Sequence, residues 1–359
     1  IIGALREALG RVDLVFISGG LGPTSDDLTR DAVAAVLGRD IVVDPEALAR
    51  LQERYQRAGR DVTEMATRQV LVLDGAEVLL NPVGLAPGQR LDGPEGQTLF
   101  VLPGPPGEFS GVLETHVLPW LKAHRAPDAP VLERLFMVGA VPEADVARRF
   151  EDAGLPPHGI AIGYCAAPGR VEVRLNGTDA GALDRCADRA RELLGEDVFA
   201  ETRVTIEAAV VRALDHRHAT LATVEGASDG RLARALMDAP ESRGVFRGGL
   251  VTGRNQLLID LCGVSSELVC REGGVSEAVA RRLAAVVRVQ LGADIGLAVT
   301  DASWGRPDQP DGRFFIGIDD GTDARAYAHR LTGRGAWRAE WIYHIALNRL
   351  RQTLPAVST

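Results

Sequence analysis

The stretch Val12-Asp13-Leu14-Val15-Phe16-Ile17-Ser18-Gly19-Gly20-Leu21-Gly22-Pro23-Thr24-Ser25-Asp26-Asp27-Leu28-Thr29-Arg30-Asp31 decides how this chain is read. An apolar strand over 12–17 runs into a turn holding Gly19, Gly20 and Gly22, and a helix is expected from about Ser25 to Leu37, closed by Gly38. Glycine tolerates positive φ and lets main-chain N–H groups come close to a ligand. A helix start adds unpaired donors and partial positive charge. Together these parts predict a phosphate or pyrophosphate site. Asp26 and Asp27 admit two readings. Acids in a first helical turn offset the helix dipole, with Thr24 or Ser25 as N-cap; alternatively they hold a hard divalent cation against a phosphate.

Working outward, residues 1–123 alternate helix and strand. A helix over 1–10, the strand, the expected helix at 25–37 and a polar helix over 45–58 come first. Strands 70–73 and 77–80 bracket Asp74-Gly75, a hairpin signal. Asn81-Pro82-Val83-Gly84-Leu85-Ala86-Pro87-Gly88 is a loop of turn formers. Strand 98–102 then enters a second such loop, Pro103-Gly104-Pro105-Pro106-Gly107-Glu108, followed by a helix to about Leu121. This alternation predicts an α/β sheet with helices on both faces, with both loops at strand ends, where such sheets bind ligands. Each loop taken alone reads equally well as a rigid turn, and Glu108 as a first-turn dipole partner.

A polar, proline-rich break at 123–130 separates a small α+β module over 131–204, ordered strand, helix, strand, strand, helix, strand. In it Val171-Glu172-Val173-Arg174-Leu175 alternates as a half-buried strand does. Residues 205–359 form a third α/β unit: helix 205–214, strand 219–224, a turn over 225–230, helix 231–238, a long helix capped by Ser276, strands 295–300, 314–318 and 325–331, and a last helix over about 336–352.

The bulk numbers set limits. The chain has 359 residues, 46% hydrophobic and 25% charged, with a net charge of −9, so a basic nucleic-acid footprint is absent and nucleic acid is not an expected partner. Cys165, Cys186, Cys262 and Cys270 are scattered, which reads as free thiols in a reducing compartment. No apolar run reaches membrane-spanning length, and no signal peptide is visible; a cytoplasmic location is expected. Lys122 is the only lysine. The chain opens directly on a helix, as if it began inside a domain.

The run Gly19 to Asp27, joined with Asn81-Pro82-x-Gly84-x-Ala86-Pro87-Gly88 and Pro103-Gly104-x-Pro106-x-Glu108, resembles the CinA family (competence/damage-inducible protein A). The resemblance implies a three-layer molybdopterin-binding-like first domain, a KH-like connecting module and a nicotinamide mononucleotide deamidase-like third domain. For the first it implies metal-dependent hydrolysis of a nucleotide pyrophosphate such as ADP-ribose, with Mg, Mn or Co as cofactor. Asp26 and Asp27 are then the catalytic and metal-holding residues. Gly19, Gly20, Gly22, Thr24, Ser25, Asn81, Gly84, Gly88, Pro103, Gly104 and Pro106 bind the small-molecule nucleotide substrate. The alternative is a nucleotide- or pterin-binding module without turnover, which is favoured where Thr63 to Gln69 lacks the family's asparagines. A homodimer is expected.

The third domain departs from the family pattern where its chemistry lies. The family's E-S-C-T-G-G reads Glu225-Gly226-Ala227-Ser228-Asp229-Gly230 here, so the nucleophile position is Gly226. The family's G-G-V-V-x-Y-x-N-x-x-K puts Gly253 at the tyrosine, keeps Asn255 and puts Leu258 at the lysine. Of the polar groups only Glu225, Asn255 and Thr300 remain. A serine needs a base to become a nucleophile, and no lysine stands in this domain. The amidase site is expected to be inactive; Ser228 with His216 or His218 as base is the weaker reading. Trp304 and Trp337 read as packing rather than base-stacking platforms. His116 and His158 have no partner at metal-ligand spacing. Arg281, Arg282, Arg288, Arg349 and Arg351 read as solvated or interfacial faces rather than a phosphate patch.

Overall fold

The computed structural model describes residues 1–125, 130–253, 255–302, 312–332 and 337–354, without the side chains of 255–257. The chain divides into two compact units, Ile1–Asp128 and Ala129–Thr359.

The first unit runs α1 (Ile2–Leu9), β1 (Leu14–Ser18), α2 (Thr29–Leu37), β2 (Ile41–Val43), α3 (Pro45–Arg57), α4 (Glu64–Thr67), β3 (Leu71–Leu73), β4 (Glu77–Leu79), β5 (Gly88–Asp92), β6 (Thr98–Leu102), α5 (Pro106–Val112) and α6 (Leu118–His124). Its main sheet has the order β1-β6-β5-β4, with β1 and β6 parallel and the other pairs antiparallel. Every residue of β6 is buried, because both faces are covered. Leu99 and Val101 enter a core with Leu5, Leu9 and Val33 on the α1–α2 side, while Phe100 and Leu102 enter another with Val112 and Val117 on the α5 side. Two expectations fail here. Strands β3 and β4 do not form a hairpin: β3 pairs with β2 and β4 with β5, because the Asp74-Gly75 turn passes the chain from one sheet to the next. The helix expected from Ser25 begins only at Thr29.

The second unit opens with β7 (Leu132–Gly139), α7 (Glu143–Asp152), β8 (Ile160–Ala167), β9 (Arg170–Gly177), α8 (Ala180–Leu194) and β10 (Val198–Ala200), forming an antiparallel sheet of order β10-β7-β9-β8. That order is a split β-α-β arrangement. Strand β9 alternates as expected, with Val171, Val173 and Leu175 buried. There follow α9 (Ile206–Asp215), β11 (Leu221–Glu225), α10 (Arg231–Asp238), β12 (Phe246–Val251), α11 (Asn255–Asp260), α12 (Ser266–Glu272), α13 (Glu277–Gln290), β13 (Ile295–Val299), β14 (Arg313–Asp319), β15 (Ala324–Arg330) and α14 (Trp337–Thr353). Their sheet has the order β12-β11-β13-β14-β15, the first three strands parallel. Helix α13 lies against one face because that face is paved with small residues: a Cβ on Gly296 would stand 2.0 Å from the Ala284 carbonyl oxygen, and one on Gly317 2.1 Å from that of Ala280. On the opposite face a single core joins both sheets of this unit, with Leu135, Met137 and Phe199 packed among residues of α9, β14 and α14. No described helix is long and apolar enough to cross a membrane.

Candidate active site

Strand direction brings three loops of the first unit to one end of its sheet. β1 and β6 are parallel, so the loops after Ser18 and after Leu102 leave side by side. β5 is antiparallel to β6, and Gly88 starts it beside Leu79, so the loop between β4 and β5 joins them. The first two loops touch through bare main chain. Gly19 takes φ +88°, its amide donates to the Leu102 carbonyl at 2.9 Å, and a Cβ on Gly104 would lie 3.1 Å from the Gly19 Cα. Gly20, at φ +70°, lies where a Cβ would meet the Thr29 hydroxyl. Arg30, 4% exposed, pins the turn from behind, donating to the carbonyls of Leu21 at 3.0 Å, Gly22 at 3.0 Å and Leu71 at 3.3 Å.

These loops enclose a cleft of about 220 Å³, lined by Gly20, Leu21, Gly22, Asp27, Gln69, Leu85, Ala86, Pro103, Gly104, Pro105 and Glu108. Two carboxylates share it. Asp27 Oδ2 accepts from the Thr24 amide at 3.0 Å and the Thr24 hydroxyl at 2.6 Å. The Thr24 hydroxyl above all, then the Gly22 and Thr24 amides and the Arg30 charge, hold its carboxyl below the ordinary carboxylate value, against the opposing effect of burial. Glu108 Oε2 accepts from Asn81 Nδ2 at 2.6 Å. Asn81, 2% exposed, also donates to the Ala86 carbonyl at 3.0 Å and accepts from the Val83 and Gly84 amides at 3.0 and 2.8 Å. It therefore shapes its loop and aims Glu108 rather than meeting a ligand. Two glycines make room for the acids: a Cβ on Gly22 would stand 2.4 Å from Asp27 Oδ2, and one on Gly84 2.1 Å from Glu108 Oε2.

Of the residues expected at this site, Gly20, Gly22, Asp27, Pro103 and Gly104 come together. Gly19, Thr24 and Gly84 do not line it but contact its lining residues Gly104, Asp27 and Glu108. Gly88 is a packing residue, its Cα facing Val112 and Leu102. Ser25 and Asp26 are exposed and do not line this cleft, and Pro106 lies in the first turn of α5. The correction to Asp26 has a clear cause. Residues 22–28 form a turn ahead of α2, and Thr24 folds Asp27 back toward the cleft while its neighbour faces solvent. Neither acid lies in the first helical turn, where Asp31 stands instead. Glu108 and Gln69 are the polar lining residues that the motif reading did not assign to the site, beside Leu21, Leu85, Ala86 and Pro105. A proline-glycine loop entering Glu108 was the signal for the first; nothing local marks the second.

Asp27 and Glu108 are the carboxylates of the cleft that could hold a hard cation sharing its coordination with a ligand. Neither carboxylate is hydrogen-bonded to a guanidinium among the described residues, since Arg30 is spent on carbonyls. No group of three acidic, histidine or cysteine side chains that could hold a metal occurs among the described residues. Magnesium-like ions are commonly held by one or two carboxylates plus phosphate oxygens.

The second constellation, at the end of β11, is closed on itself. Glu225 and Ser228 are both 0% exposed. Ser228 Oγ donates to Glu225 Oε2 at 2.6 Å, and the Leu232 and Ala233 amides donate to the same carboxylate at 3.1 and 2.9 Å, so Glu225 caps α10. Thr300, 2% exposed, donates its hydroxyl to the Asp301 carbonyl at 2.8 Å and accepts from the Phe315 amide at 3.0 Å. A Cβ on Gly226 would stand 2.7 Å from the Asp301 amide nitrogen, so the main chain of 300–301 fills the side-chain position. Leu258 is buried among Ala222, Val224 and Cys262. His216 and His218 are exposed and precede β11, whereas Ser228 follows it; the five-residue strand keeps them roughly 16 Å apart, so neither is its base. The Asn255 side chain and Trp304 lie outside the described residues.

Residues 1–123 match the family model described as a probable molybdopterin binding domain, and residues 203–354 that of the CinA C-terminal domain. The chain is 33% identical to a CinA-like protein of Gemmatimonas aurantiaca, across 98% of this chain and 85% of that one. It is 35% identical to a CinA-like protein of Akkermansia muciniphila, across 87% of this chain and 76% of that one. A crystal structure of a competence-damaged protein (CinA) superfamily protein from Enterobacter cloacae aligns with 43% of this chain and 95% of its own, at 22% identity and a TM-score of 0.40.

Proposed function

The chain belongs to the CinA family, and from that premise we propose that its first unit hydrolyses a nucleotide diphosphate sugar such as ADP-ribose with the help of Mg²⁺, Mn²⁺ or Co²⁺. The observation that carries this reading is the pairing of Asp27 and Glu108 in one cleft walled by the main chain of Gly20, Gly22 and Gly104. At about 220 Å³ the cleft takes a diphosphate, not a whole dinucleotide-sized ligand, so the nucleoside and sugar extend beyond it. Asp27, kept ionised by Thr24, and Glu108, aimed by Asn81, would hold the cation. A bound divalent cation supplies neutralisation of the diphosphate and a more acidic water. The Gly20 and Gly104 amides would orient phosphate oxygens, and Glu108 would also take the proton of the attacking water, the role that exposed Asp26 does not fill. Water added across the P–O–P bridge of ADP-ribose yields AMP and ribose 5-phosphate.

One observation favours a second reading, binding of a nucleotide or pterin without turnover: only two acids line the cleft, and Asp26 is outside it. Incubation with ADP-ribose and each metal separates the two. The hydrolase reading expects AMP, with a loss on the order of 100-fold in Asp27→Ala and Glu108→Gln. Calorimetric binding with no AMP from the unaltered chain would replace it with the binding module. For the second unit the proposal is that amidase chemistry is lost, since Glu225 and Thr300 are consumed by internal hydrogen bonds and Gly226 has no room for a side chain. Ammonia release from nicotinamide mononucleotide that depends on Ser228 would overturn that.

A further inference from the structure

Arg349 is a cation without an acid beside a cavity of its own. The cavity, about 480 Å³, lies wholly within the second unit, between the end of β15, the outer face of α14 and the start of the β7-to-α7 connection. The Arg349 guanidinium stacks over the Tyr327 ring at 4.7 Å. Its Nε is buried with no hydrogen-bond partner, and so is the Nε2 of His329, which lines the same space. Arg349 has no ion pair among the described residues. Two other polar groups of the lining are already engaged. Asn348 donates to the Gly139 carbonyl at 3.3 Å and accepts twice from Arg351, and Asp197 is held by Arg149 at 2.8 Å. Trp341 and Ile345 supply an apolar wall.

We infer that this cavity binds the phosphate monoester of a small, flat organic molecule, anchored by Arg349 and stacked against the Trp341 side. A guanidinium without an acid, lining the cavity, offers its outer donors to an oxyanion, and their planar array matches phosphate. A monoester, with nearly two negative charges at neutral pH, is drawn to the Arg349 cation more strongly than a carboxylate is. The volume falls in the range of small-molecule sites and far exceeds what a bare phosphate fills. Burial, and secondarily the Arg349 charge, push the His329 pKa down to about 4, so at pH 7 its ring is neutral and does not add to the repulsion.

The test uses the full chain carrying Asp27→Ala, so that the hydrolytic cleft is disabled and the outcome does not depend on it. Titration calorimetry with AMP, inorganic phosphate and benzoate is compared with that of the same chain bearing Arg349→Met or Trp341→Ala. AMP is expected to bind, phosphate and benzoate to bind at least tenfold more weakly, and either substitution to weaken AMP at least tenfold while Arg349→Lys recovers part of the loss. Circular dichroism identifies a variant that fails to fold, and the other substitution then decides. No AMP binding, AMP binding unmoved by both substitutions, or benzoate binding as tightly as AMP would each overturn the inference.

Discussion

Asp27 shows how one hydroxyl sets the working range of an acid. Its pKa is lowered chiefly by Thr24, so the sign is fixed: the interaction stabilises the fold above the unfolded carboxylate value of about 3.9 and is lost as pH falls through the lower folded value. If Asp27 serves hydrolysis, activity persists into acid until that folded value is crossed. Thr24→Val removes the hydroxyl and is expected to move the acid limb of the pH–rate profile upward while the neutral-pH rate falls only a few-fold. An acid limb that stays in place would mean that another group sets it. Asp26 differs from its neighbour only in lacking such a partner, and sequence identity alone could not tell the two apart.

At the scale of single elements, α10 is capped by Glu225, which Ser228 holds in place, rather than by a conventional N-cap side chain. The Gly230 N-cap position has no side chain, and the Glu225 carboxylate takes the free amides instead. Ser228→Ala is therefore expected to cost about 1.5–3 kcal/mol of stability, the worth of a hydrogen bond to a carboxylate, read as a lower denaturant midpoint with an unchanged slope. An unchanged midpoint would show that the bond carries no weight. Elements with one dominant period were legible from sequence: β6, β9, β11, α3 and α13 lie within a residue or two of their expected limits. The misreadings share one cause, residues whose local preference yields to a contact distant in the chain. Thr24, Ser25 and Asp26 look like a helix start, yet Thr24 spends its hydroxyl on Asp27. Strand β12 contains Gly248-Gly249, which argues against a strand, and Gly249 is there because a Cβ would stand 2.4 Å from the Thr223 hydroxyl. Glu108 was visible in its motif, but its place in the cleft depends on Asn81, 27 residues earlier.

For the molecule as a whole, the shared core of the second unit sets how it unfolds. Met137 belongs to the β7 sheet and Ile316 to the β14 sheet, yet both lie in one cluster, while Leu91 lies in a core of the first unit. Met137→Ala and Ile316→Ala are expected to lower the same unfolding transition by about 2–5 kcal/mol each, and Leu91→Ala a different one. Three separable transitions would show that the two sheets of the second unit fold apart.

The contact between Gly19 and Gly104 has a consequence for how such a protein can diversify. Where two backbones cross this closely, with one glycine at φ +88° and a methyl group on the other held to 3.1 Å, the recognising surface consists of peptide units that every genetic code change leaves chemically alike. Mutation there can destroy the wall but cannot retune it. Any shift in substrate preference has to be written into the replaceable neighbours Gln69, Leu85 and Ala86, which makes those three positions the place to search for new specificity in the laboratory.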